Sequence, residues 1–364
     1  MAPLRMAVIG VGHLGKEHAR ILAGMPEVDL VGVADVNGEQ ANIIARKLGT
    51  RAFHDYWPLL NNIDAASIVV PTTYHFQVAK EFLKRGIPVL IEKPLAATMM
   101  EAESLVDLAE KHQTILQVGH IERFNGAYGE LLQRPIQPKF ISAERLGPFT
   151  GRSTDIGVVL DLMIHDIDLI LNLVQSEVVQ IEAIGVSLFG KNEDVANARL
   201  HFSSGCVAEL TASRASPTPS RRMRIWAPEG CVIADFHQRQ LTLVQPSDQL
   251  RQRLQTVGST DPLSLSRFKD IVFQQHLQSV QIDCNSSKDQ LSRELEHFVD
   301  CVNSGQKPMV TGQDGLNAIS VADRIFGSLQ AHQWNGVPEG PVGPAQLPEP
   351  QGKLFRTFPG EAAA

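Results

Sequence analysis

Between Leu4 and Gly15 the chain passes from a short apolar run straight into Gly10-Val11-Gly12-His13-Leu14-Gly15. Few local patterns restrict a fold as tightly. Glycines at this spacing, after a strand and before a helix, specify a sharp strand-to-helix turn. Gly10 permits the turn, Gly12 lets a ligand approach the main chain, and Gly15 lets helix pack closely on strand. His13 and Leu14 complete a loop that leads into a helix N-terminus, whose unpaired N–H groups suit phosphate. Glycines alone could mark an ordinary structural turn. Here a second strand ends about 20 residues on in Asp35, where an acid grips both ribose hydroxyls. Together they predict a dinucleotide site. A carboxylate at Asp35 repels a 2′-phosphate, and Val36 and Asn37 supply no arginine to receive one, so the expected cofactor is NAD.

The pattern around this turn extends the reading. Leu4–Ile9, Asp29–Ala34, Ala66–Val70, Pro88–Ile91 and Thr114–Val118 read as strands. Gly15–Ala23, Gly38–Leu48, Phe76–Lys84 and Met99–Lys111 read as helices between them. Alternation of this kind predicts a parallel Rossmann sheet covered on both faces. After Gly119 one strong helix, about Gly157 to Val174, precedes six runs with strand character between Val178 and Val244, punctuated by hairpin turns. Two helices follow, near Asp289–Asn303 and Gly312–His332, and Pro246 to about Ile271 has no clear period. The expected class is α/β plus α+β: a dinucleotide-binding domain over 1–121, a second domain over 122–334, and an extended tail over 335–364 rich in Pro and Gly.

A chain of 364 residues with 43% hydrophobic and 20% charged residues can bury two cores. Its net charge of -7 weighs against a general nucleic-acid or acidic-membrane binder, leaving room for a local basic pocket. No apolar run is long enough to span a bilayer, and the N-terminus lacks a signal-peptide layout. Four cysteines without paired spacing suggest neither a metal site nor a disulfide framework, so the cytoplasm is the expected compartment.

Two features carry chemistry. Glu92-Lys93-Pro94 ends a strand at the sheet edge where α/β folds bind ligands. A lysine there can favour an alkoxide developing during hydride removal; it can equally be an exposed strand-end lysine. The helix from Gly157 is mostly apolar, yet Asp161, His165, Asp168 and Asn172 recur on one face. Such a narrow polar seam should face a cleft, with His165 as proton acceptor and Asp161 orienting it. The bland alternative is a histidine satisfied inside the core.

These residues together resemble the Gfo/Idh/MocA oxidoreductase family. The resemblance rests on Gly10, Gly12, Gly15 and Asp35; on Pro71-Thr72 with His75; on Glu92-Lys93-Pro94; on Asp161 with His165; and on Glu296-His297-Phe298 with Gly305, Pro308 and Asp314-Gly315-Leu316. It implies a second domain built on a large, mostly antiparallel sheet whose open face is buried in homodimers or homotetramers. It implies Lys93, Asp161 and His165 as the catalytic set, Pro71, Thr72 and His75 near the cofactor, and Glu92 beside the nicotinamide. The stretches Val118–Asn125 and Thr154–Asp161 resemble the sugar-nucleotide members, UDP-N-acetylglucosamine 3-dehydrogenases, although Gly126 stands where a proline often follows the asparagine. A UDP-sugar substrate needs cationic partners for its diphosphate. Arg123 and Arg214 are the favoured contacts, with Asn125 beside them and Arg221 and Arg222 in reserve. The alternatives are the same chemistry on a free sugar, polyol or inositol, and a non-enzymatic NAD-responsive protein, which should lack the Lys/Asp/His set.

Overall fold

The structure is a computed structural model that describes residues 2–151, 156–189, 192–256, 276–334 and 337–338. Its N-terminal part is a six-stranded sheet of β1 (Leu4–Ile9), β2 (Val28–Ala34), β3 (Arg51–Phe53), β4 (Ala65–Ile68), β5 (Val89–Glu92) and β6 (Leu116–Gly119). The order is β3-β2-β1-β4-β5-β6 and every pairing is parallel. Helices α1 (Gly15–Ala23), α2 (Gly38–Leu48), α3 (His75–Leu83) and α4 (Met99–Lys111) connect these strands. Strands such as Ala65–Ile68 and Val89–Glu92 are buried at every residue, which explains their continuous apolar runs. The order in which strands are added switches sides between β1 and β4, and in such sheets ligands bind beyond the carboxyl ends of the strands at that point.

The second part holds α5 (Gly126–Leu132), β7 (Phe140–Leu146), α6 (Ile164–Val174), β8 (Val178–Val186), β9 (Val195–Phe202), β10 (Val207–Ser213), β11 (Ser220–Ala227), β12 (Gly230–Asp235), β13 (Gln240–Pro246), α7 (Asp248–Thr256) and β14 (Leu277–Asp283). Its eight-stranded sheet runs β14-β13-β12-β11-β7-β10-β9-β8 and is antiparallel except between β7 and β10. Alternating burial along β7, β9 and β10 marks one face as core, against which α6 lies.

Two last helices, α8 (Gln290–Ser304) and α9 (Gly312–Ala331), return to the first part. α8 lies against α1, and α9 against α4 and β6 on one side and α6 and β8 on the other. Val118 donates to the carbonyl of Val310, so the segment before α9 covers the outer edge of β6. A capping box between Thr311 and Asp314 starts α9 there.

The structure adds β3, α5, β7 and β14 to the elements read from sequence. It also changes the long helix. Val159–Met163 forms a π turn that leads into α6, so Asp161 stands off the regular helical face of His165. The Pro-rich tail lies outside the described residues except Val337–Pro338, which pairs with Gln333–Trp334. The aperiodic interval after Pro246 yields α7 up to Thr256, and residues 257–275 are outside the description, as are 152–155.

Candidate active site

The glycine turn behaves as its spacing requires. Gly10 has φ +88°, and a Cβ there would lie 2.4 Å from the carbonyl oxygen of Val69. A Cβ on Gly15 would collide with the Gly10 carbonyl, so both glycines serve close packing of α1 and β1 on β4. Gly12 is different: a Cβ there would meet nothing within 4 Å. It borders the open side of the loop, and Leu14 at the N-cap of α1 supplies no side-chain cap. Main-chain donors at an uncapped helix start, beside an unobstructed glycine, fit a diphosphate.

Asp35 closes the other side of this crevice. One carboxylate oxygen accepts from the N–H of Val11 at 2.8 Å and the other from the N–H of Asn37 at 2.8 Å. Each oxygen keeps a lone pair for a ribose hydroxyl. The residues present therefore fit the adenosine and diphosphate portions of a nicotinamide dinucleotide, with Gly10–Gly15 and Asp35 as the holding groups.

Further along the sheet edge, β5 delivers Lys93 into the gap between the two parts. Its Nζ donates to the main-chain carbonyl of Asp161 at 2.7 Å and to that residue's carboxylate at 3.3 Å. An ammonium has three donors, so one remains for a substrate oxygen. His165 follows on α6. Its Nδ1 is buried without a hydrogen-bond partner among the described residues, while the side chain as a whole reaches the cleft. Burial, helped by the positive charges of Lys93, Arg145 and Arg221, holds the imidazole well below its ordinary pKa. It is a neutral base beside a fixed ammonium, an arrangement that can take a hydroxyl proton while the lysine steadies the oxygen.

Residues 4–120 match the profile described as "Oxidoreductase family, NAD-binding Rossmann fold", and residues 118–233 match the Gfo/Idh/MocA C-terminal domain. UDP-N-acetylglucosamine 3-dehydrogenase of Acidithiobacillus ferrooxidans is 43% identical over 237 residues, 65% of this chain and 75% of that protein. The chain belongs to the Gfo/Idh/MocA oxidoreductase family. The solved structure of that 3-dehydrogenase superposes with a TM-score of 0.80 at 34% identity, covering 90% of this chain and 98% of the other. The scyllo-inositol 2-dehydrogenase (NAD(+)) of Bacillus subtilis is 27% identical over 358 residues, 92% of this chain and 95% of the relative. The protein is thus a dehydrogenase of CH–OH groups that uses NAD(H), on a Rossmann sheet joined to a large, mostly antiparallel one.

In this Gfo/Idh/MocA protein several expected contacts sit elsewhere. The Arg123 guanidinium is buried and bidentate to Asp168, at 2.6 and 2.8 Å. Arg214 is likewise buried, bonded to Asp194 at 2.6 Å and to the carbonyl of Ile156. Both cations serve the scaffold, because a desolvated guanidinium needs a carboxylate partner. Asn125 caps α5 through Ala127 and donates to Glu122 and the Phe236 carbonyl. The neighbouring Gly126 is required by packing, since a Cβ there would lie 2.1 Å from the Cys284 carbonyl. The polar seam divides: Asp161 and His165 reach the site, whereas Asp168 holds Arg123 and Asn172 donates to Tyr128. Asp161 is bonded to Lys93, not to His165.

His75 is buried between the Val70 and Pro94 carbonyls, 2.9 and 2.8 Å from its two ring nitrogens, and its neutral ring donates to one of them. Burial lowers its pKa although both nitrogens face carbonyls. It braces the loop of Pro71 and the short turn Thr72–Tyr74 against the Lys93 strand end. Two more residues stand near the base: His120, which has no role in the motif reading, and Arg221, there only a reserve diphosphate contact. His120, next after β6, is fully buried, and its ring meets that of His165 edge to face at 6.4 Å. Arg221 on β11 has a half-exposed side chain (50%), lies 3.6 Å from Glu122, and contributes positive potential at His165. The β7–β11 register, Arg221 opposite Arg145, places it there, and that register is invisible in the linear sequence.

Proposed function

We propose that this protein oxidises a secondary hydroxyl of a nucleotide sugar to a ketone with NAD as acceptor, the 3-OH of UDP-N-acetylglucosamine or a close relative being the substrate. The observation that carries the reading is Lys93 fixed by Asp161 next to neutral His165. The carbinol O–H proton goes to His165; a nicotinamide dinucleotide held by Gly10–Gly15 and Asp35 would supply the acceptor for the carbon-bound hydride. The third donor of Lys93 steadies the alkoxide as that bond breaks. The similarity to UDP-N-acetylglucosamine 3-dehydrogenase supports the sugar. Arg221, exposed and on the site side of its sheet, is the cation assigned to the diphosphate. NAD is preferred over NADP because the Asp35 carboxylate, fixed by the N–H groups of Val11 and Asn37, would repel a 2′-phosphate. The open face of the large sheet, where Ile184 and Trp226 are exposed, is the surface through which the chain forms a homodimer or homotetramer.

A substrate panel read at the NADH absorbance band tests this. Turnover of UDP-N-acetylglucosamine with none of glucose or inositol is the expected result. A second reading, a free polyol or inositol as substrate, draws on the internal pairing of Arg123 and Arg214, which removes two cations from the mouth. Activity on inositol alone would replace the first reading by this one.

A further inference from the structure

Of the two bonds that hold Lys93, the shorter ends on main chain: the Asp161 carbonyl at 2.7 Å, against 3.3 Å to the carboxylate. A main-chain oxygen lies where its turn puts it. That turn is Val159–Met163, and a π turn leaves its first N–H groups without partners of its own. The N–H groups of Val158 and Val159 are met from outside, by the loop between β8 and β9. The Glu193 carbonyl accepts from Val158 at 3.0 Å, and Oε1 of the Glu193 carboxyl accepts from Val159 at 3.1 Å.

Glu193 is buried, and burying an acid costs stability unless hydrogen bonds offset it. Its carboxyl lies over Gly157, where a Cβ would collide with all three carboxyl atoms, so the glycine makes room for the acid. The Gly157 carbonyl in turn accepts from the N–H of Asp161 at 3.1 Å. The next residue, Asp194, fastens the same stretch a second time. It binds Arg214 at 2.6 Å, and Arg214 donates to the Ile156 carbonyl at 3.0 Å. The start of the π turn is thus gripped by a residue 34 positions away, and Asp161 hangs from that grip by its own N–H.

We propose that Glu193 is a positioning residue for the reaction: by capping the π turn it sets the Asp161 carbonyl at Lys93 and so aims the remaining donor of the lysine. No substitution of Asp161 removes that carbonyl, so the residue that places it governs the shorter of the two bonds on Lys93. The inference rests on Lys93 serving the alkoxide, as proposed above, and holds for either class of alcohol.

Two measurements test it. Reductive methylation of the cofactor-free protein, read by peptide mass spectrometry, reports how firmly Lys93 is held. Glu193→Ala should raise labelling of Lys93 severalfold and leave Lys80, half-buried and bonded to Gln77 on α3, at its parent rate. Steady-state oxidation of UDP-N-acetylglucosamine by NAD reports the consequence. Glu193→Ala should lower kcat on the order of tenfold with KM near the parent value. Glu193→Gln keeps an oxygen for the Val159 N–H and should recover most of both. In a Lys93→Ala background, Glu193→Ala should cost nothing further, because it acts through the lysine. Parent-like labelling of Lys93, an equal rise at Lys80, a Gln variant as impaired as Ala, or losses that multiply with Lys93→Ala each overturn the proposal. Should Glu193→Ala fail to fold, Glu193→Asp draws the acceptor back from Val159 while keeping the main-chain bond to Val158. It should show the same pattern, and parent-like labelling and kcat there also overturn it. Parent-like turnover by Lys93→Ala refutes instead the alkoxide role of the lysine, the reading beneath, and the catalytic half of the inference falls with it.

Discussion

The rings of His120 and His165 meet edge to face with their centroids 6.4 Å apart. His120 follows β6, whose Gly119 pairs in register with Glu92, so the sheet itself sets the backing ring beside the Lys93 strand end. Replacing His120 by Ala opens a cavity behind the base and should cost about 2–4 kcal/mol of stability and about tenfold in kcat. His120→Phe keeps the volume and the ring contact and should recover most of both. Thermal denaturation and steady-state kinetics of the pair check this. A Phe variant as impaired as the Ala variant would show that the nitrogens matter more than the packing.

His165→Ala should lower kcat by about 10²–10⁴ while NAD affinity by calorimetry stays near the parent value. Because burial and nearby cations depress the imidazole, it remains an unprotonated base into acid. The ascending limb of kcat/KM should therefore lie below pH ~6.5, the ordinary histidine value. A limb above pH 7 would assign the base to another group.

The Lys93–Asp161 pair makes a test of coupling. Lys93→Ala should slow turnover about 10²–10³-fold by removing positive charge at the developing alkoxide. Asp161→Asn should be milder, about tenfold, because the main-chain carbonyl still holds Nζ at 2.7 Å. If Asp161 works through Lys93, the double variant should be no slower than Lys93→Ala alone. Multiplying losses would mean that Asp161 acts independently on the substrate.

Asp35→Ala removes the acceptor for the Val11 and Asn37 N–H groups as well as the expected ribose contact. NAD binding should weaken by about 10–100-fold and the gap to NADP should narrow. Calorimetry with both dinucleotides reads it; an unchanged preference for NAD would move the discrimination elsewhere.

Arg123→Met separates a scaffold cation from a substrate contact. It strands the buried Asp168 carboxylate and should cost about 3–5 kcal/mol, seen as a lower melting temperature, without a selective rise in the KM for substrate. Arg221→Ala should do the reverse: stability nearly kept, KM for a UDP-sugar raised. A KM effect confined to Arg123→Met would restore that residue to the substrate mouth.

Stability should also follow pH through the buried histidines. His75, His120 and His165 all have folded pKa values depressed by burial. The unfolded chain thus binds more protons in acid. Their contribution is complete above the unfolded value of about 6.5 and is lost as pH falls below it, at up to about 1.4 kcal/mol per pH unit for each group. Denaturant titrations between pH 7.5 and 5.5 check the sign; stability that is flat or rising toward acid would contradict it.

What the linear sequence revealed follows from how local each signal is. The glycine turn, Asp35 and the strand–helix alternation are local, and helices such as Gly15–Ala23 and Met99–Lys111 appear with the bounds read from pattern alone. Lys93, Asp161 and His165 stand out as candidates because each is a charged or polar group at the end of, or inside, an apolar run, and the structure brings Lys93 and Asp161 together. The internal pairing of Arg123 and Arg214 is hidden in the sequence for the converse reason. An arginine in sequence does not announce the acid that will meet it, and Asp168 and Asp194 lie 45 and 20 positions away. The π turn at Val159–Met163 shifts the helical register, so a seam drawn at constant spacing runs partly into the core. Arg221 and the backing ring of His120 depend on strand registers that only the assembled sheets define.

The covering of β6 by the segment before α9 also bears on how the chain is made. The first sheet has all its strands once Gly119 has emerged, yet the residues that shield its edge at Val310 and Thr311 are translated roughly 10–40 s later at about 5–20 residues per second. Through that interval the nascent sheet presents an uncapped row of main-chain donors and acceptors, open to pairing with a neighbouring ribosome's product. Chains released before Val310 would keep that edge permanently, so premature termination should yield insoluble fragments rather than a working cofactor module.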